Sequence, residues 1–283
     1  MTSDESICTR DGVILHAHHW RPRGTARAVL VLVHGIAEHA GRHEHVARRF
    51  ADAGIETFAA DLRGFGRSGG ARAYLDRWSR YHDDLEDQIA AARAASSGVP
   101  LVLYGHSMGG LIALGYVLAA PPRPLPDALV LSAPAIAATI PGWKRAAAAL
   151  LSVAAPRFAL PNEFPQGGLS HDPEIERAYL ADPFNVHRTT ARLGSELLRE
   201  QSRVRARLAS IDAMPVPTYV LHGEGDPIVP VWATQSLEGK RNVTRRVYPQ
   251  LRHEMHNEPE AAQVIADTVA FIGERQSGRV RRS

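Results

Sequence analysis

Short runs of apolar residues alternate with amphipathic stretches along most of the 283-residue chain. The first clear run, Val29 to Val33, suits a strand buried on both faces, and it ends in a loop at His34-Gly35. An amphipathic helix that stops at Gly54 follows. Further strand and helix patterns succeed one another, among them a longer helix, "SRYHDDLEDQIAAARAA", with Ser79 as its candidate N-cap. This alternation predicts an α/β fold with a mostly parallel central sheet and helices on both of its faces.

The alternation stops at Pro134 and resumes near residue 212, ahead of the strand pattern "VPTYVLHG". Between these points the chain shows helical stretches punctuated by proline and glycine, without a convincing buried strand. The simplest interpretation is an insertion. We therefore predict an α/β core formed by residues 1–133 and 212–283, with a helical cap inserted at residues 134–211.

Composition is that of a soluble globular protein, with 45% apolar and 22% charged residues. The net charge of +3 is small, and the arginine-rich tail "RQSGRVRRS" is better interpreted as a solvated, frayed terminus than as a nucleic-acid site. A single cysteine, Cys8, excludes an intramolecular disulfide. The start lacks the apolar segment of a secretory signal, and the most apolar helical segment, residues 146–155, is too short to cross a bilayer. We expect a cytoplasmic protein, with peripheral membrane contact left open.

The segment "LVLYGHSMGGL" contains the pattern G-x-S-x-G at Gly105, Ser107 and Gly109. A buried strand pattern precedes it and a helix pattern follows it, as a nucleophile elbow requires. The tight turn strains the serine, so its neighbours must be nearly free of side chains for Oγ to be accessible at the carboxyl end of the sheet. Ser107 is therefore the candidate nucleophile; the alternative is a glycine-rich turn that carries an incidental serine.

A serine hydroxyl needs a base that is itself oriented by a third group. In a fold with this elbow the order along the chain is serine, acid, histidine. Asp226 lies in the loop after a late strand and is the candidate acid; Glu224 is the second candidate, and an Asp-Pro turn is the structural alternative. His253 follows the next strand pattern, "VTRRVYP", and is the candidate base.

The stretch "RHEMHNEPE" also raises a metal hypothesis, because it holds two histidines close to acids. The helical zinc motif H-E-x-x-H spaces its histidines four apart, whereas His253 and His256 are three apart. No cysteine or further histidine follows nearby to complete a structural site. The sequence therefore predicts neither a metal nor a cofactor.

Attack on an acyl carbonyl creates an oxyanion, which needs two preorganised N–H donors. We expect one from Met108, which follows the nucleophile, and one from Ile36, which follows Gly35 in the early loop "VHGIAEH". In this interpretation His34 and Gly35 are structural, forming a loop that tolerates close backbone approach.

Three further segments have simpler explanations. "GFGRSGG" fits the dinucleotide pattern G-x-G-x-x-G, but no helix pattern opens at its third glycine, so we interpret it as a tight loop. "HAHHW", residues 16–20, alternates along a strand and is interpreted as a solvated face rather than a ligand cluster. "GWKRAAAALLSVAAPRF" is either the core of the cap or an apolar surface that touches lipid.

Four stretches together resemble the monoacylglycerol lipase branch of the α/β-hydrolases, a group of lysophospholipase-like serine hydrolases. They are "HGIAEHAGRHEHVARRFADAGIETFAADLRGFGRSGG", "GHSMGGLIALGY", "GEGDPIVP" and "HEMHNEP". The resemblance runs from about Gly12 to Glu274 and is most specific in "HG-x-x-EH-x-x-R" and "DLRGFGRSGG". The cap segment "SHDPEIERAYLADPFN" also looks like the cap of that branch.

The resemblance implies an α/β-hydrolase fold with the same triad and the same two oxyanion amides. It further implies that Arg42, Tyr179 and His256 hold the glycerol hydroxyls of a substrate. One position departs from the branch, which often has an aromatic residue directly after the arginine where this chain has His43. That departure bears on the local packing and on the head-group pocket.

These features predict a serine hydrolase that cleaves monoacylglycerols to fatty acid and glycerol through an acyl-enzyme. A carboxylesterase, a lysophospholipase, a serine peptidase of the same fold and a non-catalytic binding protein remain as alternatives. A haloalkane dehalogenase or epoxide hydrolase is excluded, because it needs aspartate where this chain has Ser107. The expected partner is a small lipid ester, with transient membrane or micelle contact through the cap and no nucleic acid.

Overall fold

The structure is a computed structural model that describes residues 2–96, 98–162 and 164–280, with the side chains of the last helix described as far as Glu274. The strands are β1 (Thr2–Cys8), β2 (Ile14–Trp20), β3 (Ala28–Val33), β4 (Ile55–Ala60), β5 (Leu101–His106), β6 (Ala128–Ser132), β7 (Ala159–Pro161), β8 (Arg188–Thr190), β9 (Ala213–Gly223) and β10 (Arg241–Tyr248). The helices are α1 (Glu44–Asp52), α2 (Ser79–Ala95), α3 (Met108–Val117), α4 (Gly142–Ala154), α5 (Pro173–Ala181), α6 (Ala191–Ala209) and α7 (Ala261–Val280).

The central sheet has the order β1-β2-β4-β3-β5-β6-β9-β10 within the described part of the chain. From β4 to β10 neighbouring strands are parallel, whereas β1 and β2 form an antiparallel hairpin at one edge. The predicted α/β-hydrolase fold with a mostly parallel sheet is confirmed. In this order β3, β5, β6, β9 and β10 end at the same edge, so the loops that follow them lie side by side.

Helices cover both faces of the sheet. One apolar cluster packs α2, α3 and part of α6 on one face, and a second packs α1 and α7 on the other. Strands β3, β5 and β6 are buried at every position, which explains why their sequences show continuous apolar runs rather than alternation. Helix α1 ends at Asp52, and Gly54 adopts a φ of +76°, which supports the predicted stop.

The start of α2 differs from its predicted cap. Ser79 is the first helical residue, and the N-cap position belongs to Trp78, which has no side-chain capping bond. The Trp78 N–H instead donates to Oε2 of Glu196 on α6 at 3.0 Å. The free N–H groups at this helix start are therefore partly satisfied by a carboxylate from the inserted segment, which no local pattern around Ser79 indicates.

The segment between β6 and β9 contains α4, α5 and α6. It also contains the strands β7 and β8, which form a separate two-stranded antiparallel sheet that the sequence patterns do not predict. These strands are three residues long and mostly exposed, so they leave no apolar run. The segment is tied to the rest of the molecule by His39 Nε2, 2.9 Å from Asp182 Oδ2, and by Thr190 Oγ1, which donates to the Ala73 carbonyl at 2.6 Å. The division into core and cap at residues 134 and 211 stays a prediction.

Two other interpretations can be compared with the fold. The glycine-rich segment "GFGRSGG", residues 64–70, lies in a loop as expected, and no helix begins between this loop and α2. Within the described residues, no helix is both long enough and apolar enough to cross a membrane. In the arginine-rich tail the backbone continues α7 to Val280, and residues 281–283 lie outside the described residues, so its solvated state stays a prediction.

Candidate active site

Ser107 lies on a sharp turn between β5 and α3, with φ 52° and ψ −119°. This backbone conformation is costly for a residue with a side chain, so the surrounding structure must hold it in place. A Cβ on Gly105 would lie 2.4 Å from the Gly109 carbonyl oxygen, and one on Gly109 would lie 2.1 Å from that of Val33. Both glycines are therefore required for β5, α3 and β3 to approach this closely, and the turn holds Ser107 at the carboxyl edge of the sheet.

His253 and Asp226 meet in the loops after β10 and β9. His253 Nδ1 lies 2.7 Å from Asp226 Oδ2, while Asp226 Oδ1 accepts N–H bonds from Ile228 at 2.8 Å and Val229 at 2.9 Å. Because a carboxylate only accepts, Nδ1 carries the proton and Nε2 is left as the basic nitrogen. Glu224, the second candidate for the acid, is exposed to solvent.

The electrostatics of this pair favour a charged imidazole. Burial alone would lower the pKa of His253, but the carboxylate of Asp226, and more distantly Glu254 and Glu38, raise it above its ordinary value of 6.5. Burial alone would raise the pKa of Asp226, yet the charge of His253 and the hydrogen bonds from His222 and His253 hold it well below its usual range. Asp226 thus stays ionised and stabilises an imidazolium at His253.

The loop after β3 lies directly against the serine. A Cβ on Gly35 would lie 3.2 Å from Ser107 Cβ, so only glycine lets this backbone come so close. The loop is fixed from both sides: Gly35 N–H donates to Glu38 Oε1 at 2.5 Å, and the buried His34 ring accepts from Leu62 N–H at 2.8 Å. Ile36 directly follows Gly35 in the chain, and Ile36 and Met108 both line the cavity next to Ser107.

Arg42 is engaged by two buried carboxylates. Its Nη1 donates to Glu38 Oε2 and to Glu254 Oε1, both at 2.7 Å, and its Nη2 donates to Glu254 Oε2 at 2.9 Å. Burial alone would lower the pKa of Arg42, but these two acids raise it, so the guanidinium is permanently charged. The Tyr179 ring lies beneath it, with the guanidinium carbon 5.0 Å from the ring centre.

A cluster of buried imidazoles lies behind the triad. The ring of His106 is 4.8 Å from that of His253 and 4.9 Å from that of His256, and the ring of His43 lies 4.8 Å from that of His256. Burial lowers the pKa of His106 to about 3, and the charge of His253 acts in the same direction. The His43 Nε2 lies 3.3 Å from Glu38 Oε2. The chain therefore places the polar ring of His43 against Glu38, at a position where the branch often has an aromatic residue.

Ser107 and His253 open onto a common cavity of about 140 Å³. Its walls are largely apolar, and the inserted segment contributes Phe164, Leu169, Tyr179, Leu197 and Gln201. The Tyr179 hydroxyl is buried and finds no hydrogen-bond partner among the described residues. A larger surface groove of about 610 Å³ lies between α2, α3 and α6, but none of the predicted site residues lines it.

The structure brings most of the predicted residues to this cavity, with one exception. Ser107, His253, Ile36, Met108, Arg42 and Tyr179 line it, and Asp226 contacts His253 from behind. His256 is not among the described residues that line the cavity; its ring packs against that of His106, which does line it. The implied glycerol contact of His256 is therefore not supported by its position, and the residue packs in the imidazole cluster instead.

Sequence reasoning missed four residues that shape the site. Glu38 and Glu254 hold Arg42, His106 packs against His253, and His222 Nε2 lies 3.3 Å from Asp226 Oδ2. Glu38 lies within the "HG-x-x-EH-x-x-R" stretch, which offered a signal for it. Glu254 had none, because its partner is 212 positions away in the chain.

Comparison with known proteins shows the family. Residues 24–260 match the family described as Serine aminopeptidase, S33. The chain is 36% identical over 276 residues to a monoacylglycerol lipase of Mycolicibacterium smegmatis, an alignment that covers 95% of this chain and 96% of that protein. The chain belongs to the monoacylglycerol lipase branch of the α/β-hydrolases. It is also 30% identical to a monoglyceride lipase of Homo sapiens, over 92% of this chain and 86% of that one.

Solved structures agree with this membership. A monoacylglycerol lipase from Paleococcus ferrophilus superposes with a TM-score of 0.80 and 25% identity, covering 92% of this chain and 99% of that one. As a member of the monoacylglycerol lipase branch, the chain is a carboxylic ester hydrolase of a lipid-hydrolysing group.

Proposed function

We propose that this hydrolase cleaves the ester bond of monoacylglycerols, releasing fatty acid and glycerol through an acyl-enzyme on Ser107. The observation that carries the proposal is a strained serine and an Asp226-oriented His253 that line the same mostly apolar cavity. An apolar cavity suits an acyl chain, and the serine, histidine and aspartate supply the groups that acyl transfer needs.

Catalysis then takes place in two steps, acylation of Ser107 and hydrolysis of the acyl-serine. Ser107 Oγ attacks the ester carbonyl carbon while its proton moves to His253 Nε2, and the N–H groups of Ile36 and Met108 bind the oxyanion. Collapse breaks the bond to the glycerol oxygen, which takes the proton from His253. Water then attacks the acyl-serine and gives a proton to His253, which returns it to Ser107 as the fatty acid leaves.

The head-group contact rests on Tyr179. Its buried hydroxyl lacks a partner in the described part of the chain and lines the cavity, so it is placed to bond a glycerol hydroxyl. Arg42 lines the same cavity, but Glu38 and Glu254 occupy its guanidinium. We assign Arg42 to holding these acids and the Tyr179 ring in place, with any direct substrate contact secondary.

The cavity is smaller than the roughly 300 Å³ or more that small-molecule sites usually offer. A long acyl chain therefore requires the inserted segment to move outwards. Helix α4 is mostly exposed, and Ser152 is the one residue of Gly142–Ala154 that is buried. Its exposed Trp143, Leu150 and Val153 form an apolar surface, which we propose contacts the membrane or micelle that supplies the substrate.

A peptidase activity, suggested by the family description, is less well supported. A substrate with a free amine calls for an unpaired acid near the serine. Among the described residues the acids that line the cavity are Glu38 and Glu254, and both are paired with Arg42. A carboxylesterase or lysophospholipase would have the same site and would differ from a monoacylglycerol lipase in substrate preference alone.

The test is release of fatty acid from monooleoylglycerol, compared with diolein, lysophosphatidylcholine, p-nitrophenyl butyrate and leucine p-nitroanilide. We expect monooleoylglycerol to have the highest kcat/KM, by about tenfold or more, and Ser107→Ala to abolish turnover of every ester. Tyr179→Phe should raise KM for monooleoylglycerol several-fold and leave p-nitrophenyl butyrate unaffected. Faster turnover of the short ester, the phospholipid or the amide would contradict the monoacylglycerol assignment.

A further inference from the structure

The hairpin of β1 and β2 brings three metal-ligating side chains together beside the loop that follows β4. His16 and His18 are two apart on β2 and therefore point to the same face. Asp4 on β1 pairs directly with His18 in the strand register. The His18 Nδ1 lies 3.0 Å from Asp4 Oδ1, and the His16 Nε2 lies 3.9 Å from Asp4 Oδ2.

The surroundings of the two histidines favour binding of a metal ion over a simple ion pair with Asp4. The His16 Nε2 is buried and has no hydrogen-bond partner in the described ranges, although it faces a carboxylate. The His18 Nδ1 faces Asp4 Oδ1 at 3.0 Å, so a bound ion would take the place of the proton between these two atoms. The three donor atoms lie within 4.8 Å of one another, and no other such group of three occurs among the described residues.

We propose that Asp4, His16 and His18 form a binding site for a divalent transition-metal ion of the zinc type. Zinc binds imidazole nitrogen and carboxylate oxygen at about 2.0–2.2 Å, so tetrahedral donors lie about 3.4 Å apart. One ligand atom from each residue lies within 4.8 Å of the other two, so side-chain rotations are needed to bring the three atoms to that spacing. Asp4 is 55% exposed, which leaves the fourth position to water.

The surroundings are consistent with a bound cation. Arg67 Nη1 lies 3.6 Å from Asp4 Oδ2, where it can hold the carboxylate in position. The carboxylate of Asp61 adds negative potential at His18. The ion would link edge strand β1 to β2, so its role is structural: it holds the first strand on the sheet. The proposal is independent of the proposed ester hydrolysis.

Isothermal titration of the full, untagged chain with ZnCl₂ tests the site, with MgCl₂ as the hard-cation comparison. We expect one zinc per chain, no binding of magnesium, and a roughly 5 °C rise in Tm at a hundredfold excess over Kd. The variants Asp4→Asn, His16→Gln and His18→Gln should each weaken zinc binding by about tenfold or more and cancel the Tm rise.

His171→Gln is the matched control, because it removes a different imidazole that faces a carboxylate, here Glu258 at 3.0 Å. It should leave the zinc affinity unchanged. Loss of binding in His171→Gln with retention in His16→Gln would overturn the proposal, as would the absence of a stoichiometric zinc site. Ester hydrolysis should be the same in all these variants, so a failure here is distinguishable from a failure of the proposed function.

Discussion

At the scale of single residues, Arg42 has two buried acidic partners that the resemblance does not imply. Its guanidinium neutralises two buried acids, and removal of one partner of such a buried cluster typically costs about 3–5 kcal/mol. We predict that Arg42→Ala lowers the free energy of unfolding by that amount in denaturant titrations. Tyr179→Phe is the control and should change it little; equal stability of both variants would contradict a structural role for Arg42.

The ionisation of His253 makes a prediction about pH. The imidazole must be neutral to accept the serine proton, and its raised pKa means that it stays protonated to a higher pH than a free histidine. The value of kcat/KM should therefore fall as the pH drops through a midpoint above 6.5, measured with soluble p-nitrophenyl butyrate. Glu254→Gln removes a nearby negative charge and should move that midpoint downwards. An acid limb below 6.5 in the unaltered enzyme would contradict this electrostatic account.

How far the sequence predicts these residues depends on how local their signals are. Ser107 lies in a short motif, and Asp226 and His253 follow strands whose order is set by the fold, so all three candidates emerge from the sequence. The Arg42–Glu254 pair joins loops after β3 and β10 that are far apart in the chain. The placement of His256 behind His106 is likewise a matter of tertiary packing, which spacing does not encode.

At the scale of elements, the elbow depends on contact between β3, β5 and α3. A Cβ on Gly109 would meet the Val33 carbonyl oxygen at 2.1 Å, so Gly109→Ala must push the helix away from the sheet. We predict a loss of about 2 kcal/mol or more in the free energy of unfolding, together with loss of activity. Gly194→Ala in α6 is the matched control, because its Cβ meets nothing within 4 Å. It should stabilise the protein by up to about 1 kcal/mol, and the opposite ranking would contradict the packing described here.

Helix α4 offers an element-scale test of membrane contact. Trp143 and Leu150 are each 70% exposed, and burial of such side chains in a lipid interface is worth about 1.5–3 kcal/mol each. The double variant Trp143→Ser/Leu150→Ser should therefore bind phosphatidylcholine vesicles at least about tenfold more weakly in sedimentation assays. Its turnover of soluble p-nitrophenyl butyrate should be unchanged. Leu180→Ser, an exposed leucine on α5, is the control; an equal loss in that variant would show that α4 is not the contact surface.

The elements that the sequence predicts well are those buried on both faces. Continuous apolar runs mark β3, β5 and β6 because helices cover both sides of the sheet. The polar edge strand β1 and the three-residue strands β7 and β8 carry no such run and were not predictable from pattern. The predicted N-cap at Ser79 was wrong because the helix start is satisfied by Glu196, a tertiary contact.

At the scale of the whole molecule, the strand order brings the site together. The loops after β3, β5, β9 and β10 meet at one sheet edge, and these loops carry Ile36, Ser107, Asp226 and His253. The inserted segment closes over the same edge and supplies apolar walls and Tyr179. The fold could thus be predicted from alternation and motif order, whereas the volume of the cavity could not, because it depends on how the inserted helices pack.

The most direct test of the central claim is active-site labelling with a fluorophosphonate, followed by peptide mapping and by assay of monooleoylglycerol hydrolysis on the same samples. The account predicts a single adduct on Ser107 and a loss of hydrolysis in proportion to labelling. Ser107→Ala should neither react nor turn over substrate. An adduct on another residue, or hydrolysis that persists after complete labelling of Ser107, would contradict it.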